Sequence, residues 1–551
     1  MNDMTTKAPA DLLLTNGHIV TMNATSDICE AIAIRGGRIV GVGTQAEVES
    51  FAGEVTRIVD LDGRTVIPGL IDSHMHMLWC ATSAASPQLL DARSVADIQA
   101  VVREAAANLP EGEWIVTGAG WHESLLTEGR MPTRWELDEA VPNHPVFIPR
   151  GGHVAACNSR ALEMAGIDRN TPDPAGGVVV RRESDGEATG MLLDSASMLV
   201  RRVLPPPPPV EEQVELLAKM MRQLNGLGLV AVTEPGVDAS RIEVYERMRA
   251  AARMTIRTDL LYRVNSIQDM PKLFAHRELL SDDLLRFSGA KFMLDGGIEG
   301  GRLKEPYLIV EGEQPDSNYR GLLMVPRGGE DELVECMLQM ARAGLQVQCH
   351  AVGDEAIDVV VRCFERVNET VPIAGLRWAV MHIHLPTGDA LERIRRIGAV
   401  VTVQDHSVLL GHNMRRWWGD ERAAYAAPLR DILDAGLLAG GGTDAPVVPL
   451  DPFLCLWWMV TRRTLNGYVL GPEQAITIEE ALRLYTINNA RIIGVDQDQG
   501  SIEVGKLADV AVLDRDILAV TSDEIKDVKV LLTLLGGRVV HEQFPFASVA
   551  T

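Results

Sequence analysis

Leu345–Asp354 (LQVQCHAVGD), Glu355–Val367 (EAIDVVVRCFERV) and Arg377–Leu385 (RWAVMHIHL) form the stretch on which the fold turns. The first is a short β-prone run that ends in a histidine and a glycine-bearing loop. The second spaces its apolar residues with helical period. The third is again short and apolar and again ends in histidine. Strand, helix and strand in that order is the pattern of a parallel sheet.

The alternation continues outward on both sides. Downstream, Thr387–Ile397 and Arg430–Ala435 read as helices, and Val400–Val403 and Leu437–Gly440 as strands. Upstream, Glu330–Ala343 and Arg241–Ala251 are helical, and Ala290–Leu294 and Leu229–Thr233 are strand-like. Repeated βα units over several hundred residues predict an α/β protein, most simply a (β/α)8 TIM-like barrel. A doubly wound parallel sheet is the alternative that pattern alone leaves open.

Both chain ends read differently. Asp11–Val20, Ala31–Arg35, Arg38–Val42 and Arg57–Asp60 are β-rich, and so are Ala508–Asp514 and Val528–Leu534, followed by a Gly536-Gly537-Arg538 turn. The simplest arrangement folds the two ends into one small β-sandwich domain. It assigns residues 1–66 and 491–551 to the sandwich and 67–490 to the barrel. An insertion after the first barrel strand spans about 90–210, and Pro205–Pro209 forms a stiff connector leaving it.

The chain has 551 residues, enough for a barrel plus a second domain. Acidic residues outnumber basic ones, 76 to 52, for a formal charge of -24. That excess argues against a nucleic-acid or anionic-membrane surface. The 7 cysteines contain no CxxC pair and fit free thiols in a reducing compartment. Met1–Asp11 has no basic-then-apolar signal pattern, and no run approaches ~18 apolar residues, so the expectation is a cytoplasmic chain without a membrane span.

The chemistry concentrates in Gly69-Leu70-Ile71-Asp72-Ser73-His74-Met75-His76, which follows the apolar pair Val66-Ile67. Histidines at i and i+2 on a strand share a face and can hold one metal. Alone, such a pair is as often a surface or core feature. Its company adds weight: His350, His382 and Asp444 each stand where a strand-like run gives way to a loop, the position of catalytic groups in barrel enzymes. Histidines with a carboxylate suit zinc or a similar first-row divalent ion. Trp79, Trp121, Trp417 and Trp418 fall in expected rim loops, so an aromatic-lined pocket for an apolar or aryl small molecule is one expectation, and packing under a loop the other.

Further segments carry a family resemblance. They are Gly152-His153-Val154, Lys291-Phe292-Met293-Leu294-Asp295-Gly296, His350-Ala351-Val352-Gly353-Asp354, Thr443-Asp444, Tyr485-Thr486-Ile487-Asn488 and Gly505-Lys506-Leu507-Ala508-Asp509. With the HxH motif, they resemble the amidohydrolase superfamily over nearly the whole length, in the branch that includes N-substituted formamide deformylases and YtcJ-like proteins. The resemblance implies a metal-dependent hydrolase that cleaves an amide-type C–N bond with one or two divalent ions. It places His74, His76 and Asp444 on the first metal and His350 and His382 on the second, with Lys291 bridging them as a carbamate. It makes Asp444 the general base, and it allows His153 a substrate or oxyanion contact. Dimers are common in that superfamily, so a homodimer is expected.

The chain also departs from the pattern. Met381-His382-Ile383-His384 stands where relatives have Glu-His-Ala-Gln, leaving His384 as an alternative to His382. Glu234 replaces an expected aspartate and is read as a barrel-bottom or supporting group. Lys291 has a purely structural alternative, an ion pair with Asp295. His153 has one too, as a packing residue, and His122 is equally open. An amino-heterocycle deaminase on the same barrel is disfavoured by Gly353, where such enzymes carry glutamate, and by the presence of Lys291. A metal-dependent decarboxylase and a non-catalytic binding protein stay open, to be decided by products and by metal content.

Overall fold

The computed structural model of the chain describes residues 8–174, 176–277, 281–309, 318–543 and 548–549. An eight-stranded parallel sheet forms its centre. The strands are β1 (Leu70–Asp72), β2 (Leu229–Val237), β3 (Arg257–Arg263), β4 (Leu285–Met293), β5 (Gln346–Ala351), β6 (Ala379–His382), β7 (Val400–Gln404) and β8 (Ala439–Gly442). Each pairs with the next in chain order. The two ends meet at Ser73, whose N–H and Oγ–H donate to the Gly441 carbonyl at 3.1 and 2.9 Å. Unbroken strand order and this closure make the sheet a (β/α)8 barrel and exclude the doubly wound alternative, in which the order reverses.

Helices cover the barrel because their apolar residues fall on one side. Asp354–Asn368 buries Ile357, Val360, Val361 and Phe364 against the strands. Each such side chain contributes about 1.5–3 kcal/mol. Asp354 and Glu355 occupy its first turn and Arg366 its last, matching the helix dipole. Strand β3 was not legible as a strand because Arg257 and Asp259 interrupt its apolar pattern. Arg257 is accommodated by an ion pair to Asp509, Nε to Oδ2 at 2.7 Å.

The chain ends form two sheets. One is five-stranded and carries Leu12–Thr15, Ala31–Arg35, Arg38–Gly43 and Arg57–Asp60, with Ser548–Val549 at its edge. The other is six-stranded and joins His18–Val20, Ile28–Cys29 and Thr65–Pro68 to Val510–Leu513, Val530–Leu535 and Arg538–Glu542. Leu14, Ile32 and Ile34 of the first pack with Ile19, Val512 and Leu532 of the second in one core, which makes a sandwich. Val66-Ile67 belongs here and does not feed the barrel: Thr65–Pro68 pairs with His18–Ile19 and with Val510–Val512. The barrel begins one residue beyond Gly69, where a Cβ would lie 2.4 Å from Val230 Cγ1.

Between β1 and β2 stands a second five-stranded sheet, ordered Gly177–Arg181, Ala188–Asp194, Val154–Cys157, Val146–Arg150, Ile115–Val116. It has its own core around Ile98, Trp121, Leu137 and Ile148. Pro205–Pro209 has no regular structure and leads into helix Val210–Asn225. Among the described residues no helix is long and apolar enough to cross a membrane.

Candidate metal centre and substrate pocket

His74 and His76 do not sit on a strand, as their spacing had suggested. They follow the last residue of β1, and His76 caps helix Met77–Ser83. The loop is pinned from below. The buried Asp72 carboxylate accepts the His74 N–H at 2.8 Å and both the N–H and Oγ–H of Thr443, tying the ends of β1 and β8 together. Glu234 accepts from Leu78 N–H at 3.2 Å and from Tyr245 Oη–H at 2.6 Å, so it holds the helix just after His76 and is no barrel-bottom group. Both imidazoles consequently reach Asp444, whose Oδ1 lies 3.3 Å from His74 Nε2 and 3.4 Å from His76 Nε2.

The other oxygen of Asp444 faces a different set. His406 Nε2 is 3.0 Å from Oδ2, and His406 Nδ1 is 3.1 Å from His384 Nε2. His382 Nδ1 is 4.0 Å from Oδ2. Two clusters with metal-ligand spacing therefore share Asp444: His74 and His76 on one side, His382 and His406 on the other. His406 was missed in the sequence. Its signal was there, since it stands two residues past β7, where its neighbours stand on their own strands.

His384 does not take His382's place. The chain leaves β6 through His382 at φ 71° and Ile383 at φ 41°, so the two histidines no longer alternate as on a strand. A β-branched residue at positive φ is uncommon, and Asp444 also has positive φ, 60°. Such backbone persists where surrounding structure over-determines it, often at functional sites.

His350 ends β5 but lies outside both clusters. Its Nε2–H donates to the Gly296 carbonyl at 2.9 Å, which fixes the tautomer and leaves Nδ1 as the unprotonated nitrogen. Its ring is 4.5 Å from that of His382. Lys291, on β4, is buried, and burial pushes its ammonium down to about 7 against the attraction of Asp444. It forms no ion pair with Asp295, which accepts instead from the N–H groups of Val352, Gly353 and Arg302 at 3.1, 2.9 and 2.9 Å.

These donors fit a divalent transition ion. Both nitrogens of His74, Nδ1 of His382 and Oδ1 of Asp444 are buried without a hydrogen-bond partner. Leaving several such atoms together is costly unless a cation engages them. Burial lowers His74 to about 3 and His382 well below the usual imidazole range, so both are neutral, the form that ligates. Burial alone would raise the Asp444 carboxyl; His74, His406 and His76 outweigh it and hold it well below the usual range.

A narrow cleft, partly open to solvent, lies above the cluster. His350, His382, His406 and Asp444 floor it. Arg150 and His153 come from the insertion, and Glu299 from the loop after β4. Ile298, Val352, Leu410 and Val447 make the wall aliphatic. No tryptophan lines it, which corrects the aromatic expectation. Trp121 is tied to the Pro149 carbonyl at 2.9 Å, and Trp417 and Trp418 pack behind the wall, in one cluster with Ile298, Val352 and Leu410. Of the four, Trp79 approaches the centre, 5.9 Å from the His76 ring.

His153 stands in the loop between Val146–Arg150 and Val154–Cys157, with its ring 6.0 Å from that of His350. Its Nδ1–H donates to Asp194 Oδ1 at 2.8 Å. Burial alone would lower its pKa, but Asp194 outweighs burial and raises it. Asp194, at φ 46°, was not visible as a site residue because it lies 41 positions away. His122 caps Glu123–Leu125, accepting the Ser124 N–H at 3.0 Å on Nδ1.

Comparison with known proteins sets this geometry in context. Residues 57–541 match the model of the amidohydrolase family. An N-substituted formamide deformylase of Arthrobacter pascens is 29% identical over 97% of this chain and 98% of its own length. YtcJ of Bacillus subtilis (strain 168) is 30% identical over 96% of this chain and 98% of its own. The crystal structure of an uncharacterized metal-dependent hydrolase from Pyrococcus horikoshii superposes with a TM-score of 0.72 at 26% identity, covering 93% of this chain and 99% of that one. A family match across most of the chain, relatives similar from end to end and a polar cluster suited to a divalent ion agree with one another. The chain belongs to the amidohydrolase family and is a hydrolytic enzyme acting on carbon–nitrogen bonds.

Proposed function

We propose that the enzyme hydrolyses the amide bond of a small N-acyl or N-formyl amine, with a first-row divalent ion, zinc first among them, held by His74, His76 and Asp444. With Lys291 carboxylated, His350 and His382 would complete a second site. The observation that carries this reading is the convergence of partnerless buried donors on Asp444 beneath an open cleft. The formamide activity named for the Arthrobacter pascens relative directs attention to formamides first.

When bound, the ion supplies Lewis acidity, which acidifies water and polarises a carbonyl. The chain's own residues do the rest. Asp444 is anchored through Oδ2 by His406 and, as general base, receives the proton of the attacking water, then releases it to the leaving nitrogen. His384 keeps His406 in the tautomer that donates to Asp444. His153 points into the cleft from the opposite wall and donates to oxygen as charge develops there, its ring held by Asp194. The aliphatic wall receives the carbon skeleton and excludes water.

Two measurements test this. Protein purified without chelator should carry one to two transition ions per chain by elemental analysis, and chelation should abolish release of amine from a formamide and amide panel until zinc is restored. Metal-loaded protein that releases amine from no member of the panel refutes the amide reading. Asp194→Asn is expected to lower kcat about tenfold to hundredfold with little change in KM, and His153→Gln to do the same. If the pair acts as one unit, the double variant is no worse than either single. Fully additive losses would separate Asp194 from His153.

A further inference from the structure

Glu299 is a buried carboxylate that faces the cleft, and neither the metal cluster nor the proposed proton transfers use it. Its side chain is 4% exposed. A buried carboxylate is unfavourable unless paired, and a buried ion pair often contributes no more stability than an apolar replacement. Stability alone therefore does not account for it.

Two groups that can carry positive charge lie beside it, Arg150 and, across Gly297, the His153 imidazole, and each is engaged by another carboxylate, Glu123 and Asp194 respectively. Arg150 Nε lies 2.9 Å from Glu123 Oε2, and Nη2 lies 3.3 Å from Glu123 Oε1. Among the described residues, Glu299 accepts one side-chain hydrogen bond, from Arg150 Nη1 to Oε1 at 3.2 Å. The guanidinium is thus shared in favour of Glu123 and the imidazole is held by Asp194, so the negative charge of Glu299 is only partly compensated beside the substrate space. The carboxylate is also placed in advance. Asp295, at the start of the loop that carries Glu299, accepts from the backbone N–H groups of Arg302 and Gly353, which ties that loop to the end of β5. At Gly297 a Cβ would lie 2.8 Å from His153 Cδ2 and 3.2 Å from Glu299 Oε2, so the loop, the imidazole and the carboxylate are fitted to one another. A rigid, partly uncompensated carboxylate beside an aliphatic wall is the complement of an alkylammonium.

We propose that Glu299 is a specificity residue, whose carboxylate receives an ammonium group carried by the substrate on an aliphatic chain that packs against Val352, Leu410 and Val447. This rests on the amide reading above and names its substrate class: N-acyl or N-formyl derivatives of aliphatic diamines. Atoms of the reacting bond are untouched by Glu299, which selects and orients.

The test uses the metal-loaded full chain and calorimetric titration with butylammonium and its neutral analogue 1-butanol. The wild type is expected to bind butylammonium at least about tenfold more tightly, the scale of one charge-assisted hydrogen bond. Glu299→Gln keeps an acceptor for Arg150 and should erase that preference, whereas Glu299→Asp should retain part of it. Equal binding of the two probes by the wild type overturns the proposal, and so does a preference that survives in Glu299→Gln. In parallel, kcat/KM for N-(4-aminobutyl)formamide should exceed that for N-pentylformamide by about tenfold or more, through KM, and the ratio should collapse in Glu299→Gln. Equal kcat/KM for both overturns the proposal. Hydrolysis of neither refutes the amide reading, while the titration independently decides Glu299.

Discussion

Asp444→Asn is expected to lower turnover by about four orders of magnitude while the protein keeps its fold and part of its metal. Asparagine has the shape of aspartate and can still accept from His406 through its oxygen. It has no charge to offer His74 and His76, and it cannot take up a proton. In the native protein the carboxylate divides its work, with Oδ2 held by His406 at 3.0 Å and Oδ1 facing His74 and His76 at 3.3 and 3.4 Å. Replacing it removes the proton acceptor and weakens the one group shared by both clusters. The check is kcat measured on the same sample whose metal content is determined. Activity within tenfold of the wild type at full metal content would show that the proton goes elsewhere.

Lys291→Ala is expected to lose one ion per chain and about three orders of magnitude in kcat, and to recover part of both when acetate or propionate is added. The reason lies in its surroundings. Burial brings the amine to about 7, so a substantial neutral fraction exists near neutral pH, and only the neutral amine adds CO2. An ammonium cannot ligate a cation, whereas a carbamate has two oxygens that can. A short carboxylate diffusing into the space left by the side chain replaces those oxygens without the covalent tether. Elemental analysis and initial rates against carboxylate concentration measure both effects. A fully active, fully metallated Lys291→Ala would sink the carbamate bridge.

How much of this was legible depended on the range of the interactions involved. The barrel was written locally: strand-like runs of three to nine residues alternating with helical periodicity need only neighbouring residues to be recognised. Strand β3 escaped because Arg257, which interrupts it, is compensated by a partner 252 positions away, Asp509. The same limit governed the site. His350, His382 and Asp444 announced themselves by standing where strands give way to loops, and His74 by its spacing from His76. His406 stands in the same kind of place but inside no motif, and Asp194 is joined to His153 only through the folding of the insertion.

By itself the sequence determined the fold class, the folding of both ends into one β-sandwich and the insertion, and it offered a list of candidate metal ligands that lacked His406. These depend on hydrophobic period, turn residues and donor type, which are properties of short segments. Only the tertiary structure decided which of those donors converge. It turned His384 away from His382 toward His406, because positive φ at two successive residues ends the strand alternation. It gave the cleft an aliphatic wall by placing Trp417 and Trp418 behind Ile298, Val352 and Leu410 and drawing Trp121 into the core of the insertion. It set Glu299 beside an arginine already engaged by Glu123. Direction of side chains at loop ends, and the balance of charge among residues hundreds of positions apart, are set by closure of the barrel and docking of the insertion, and no local pattern encodes them.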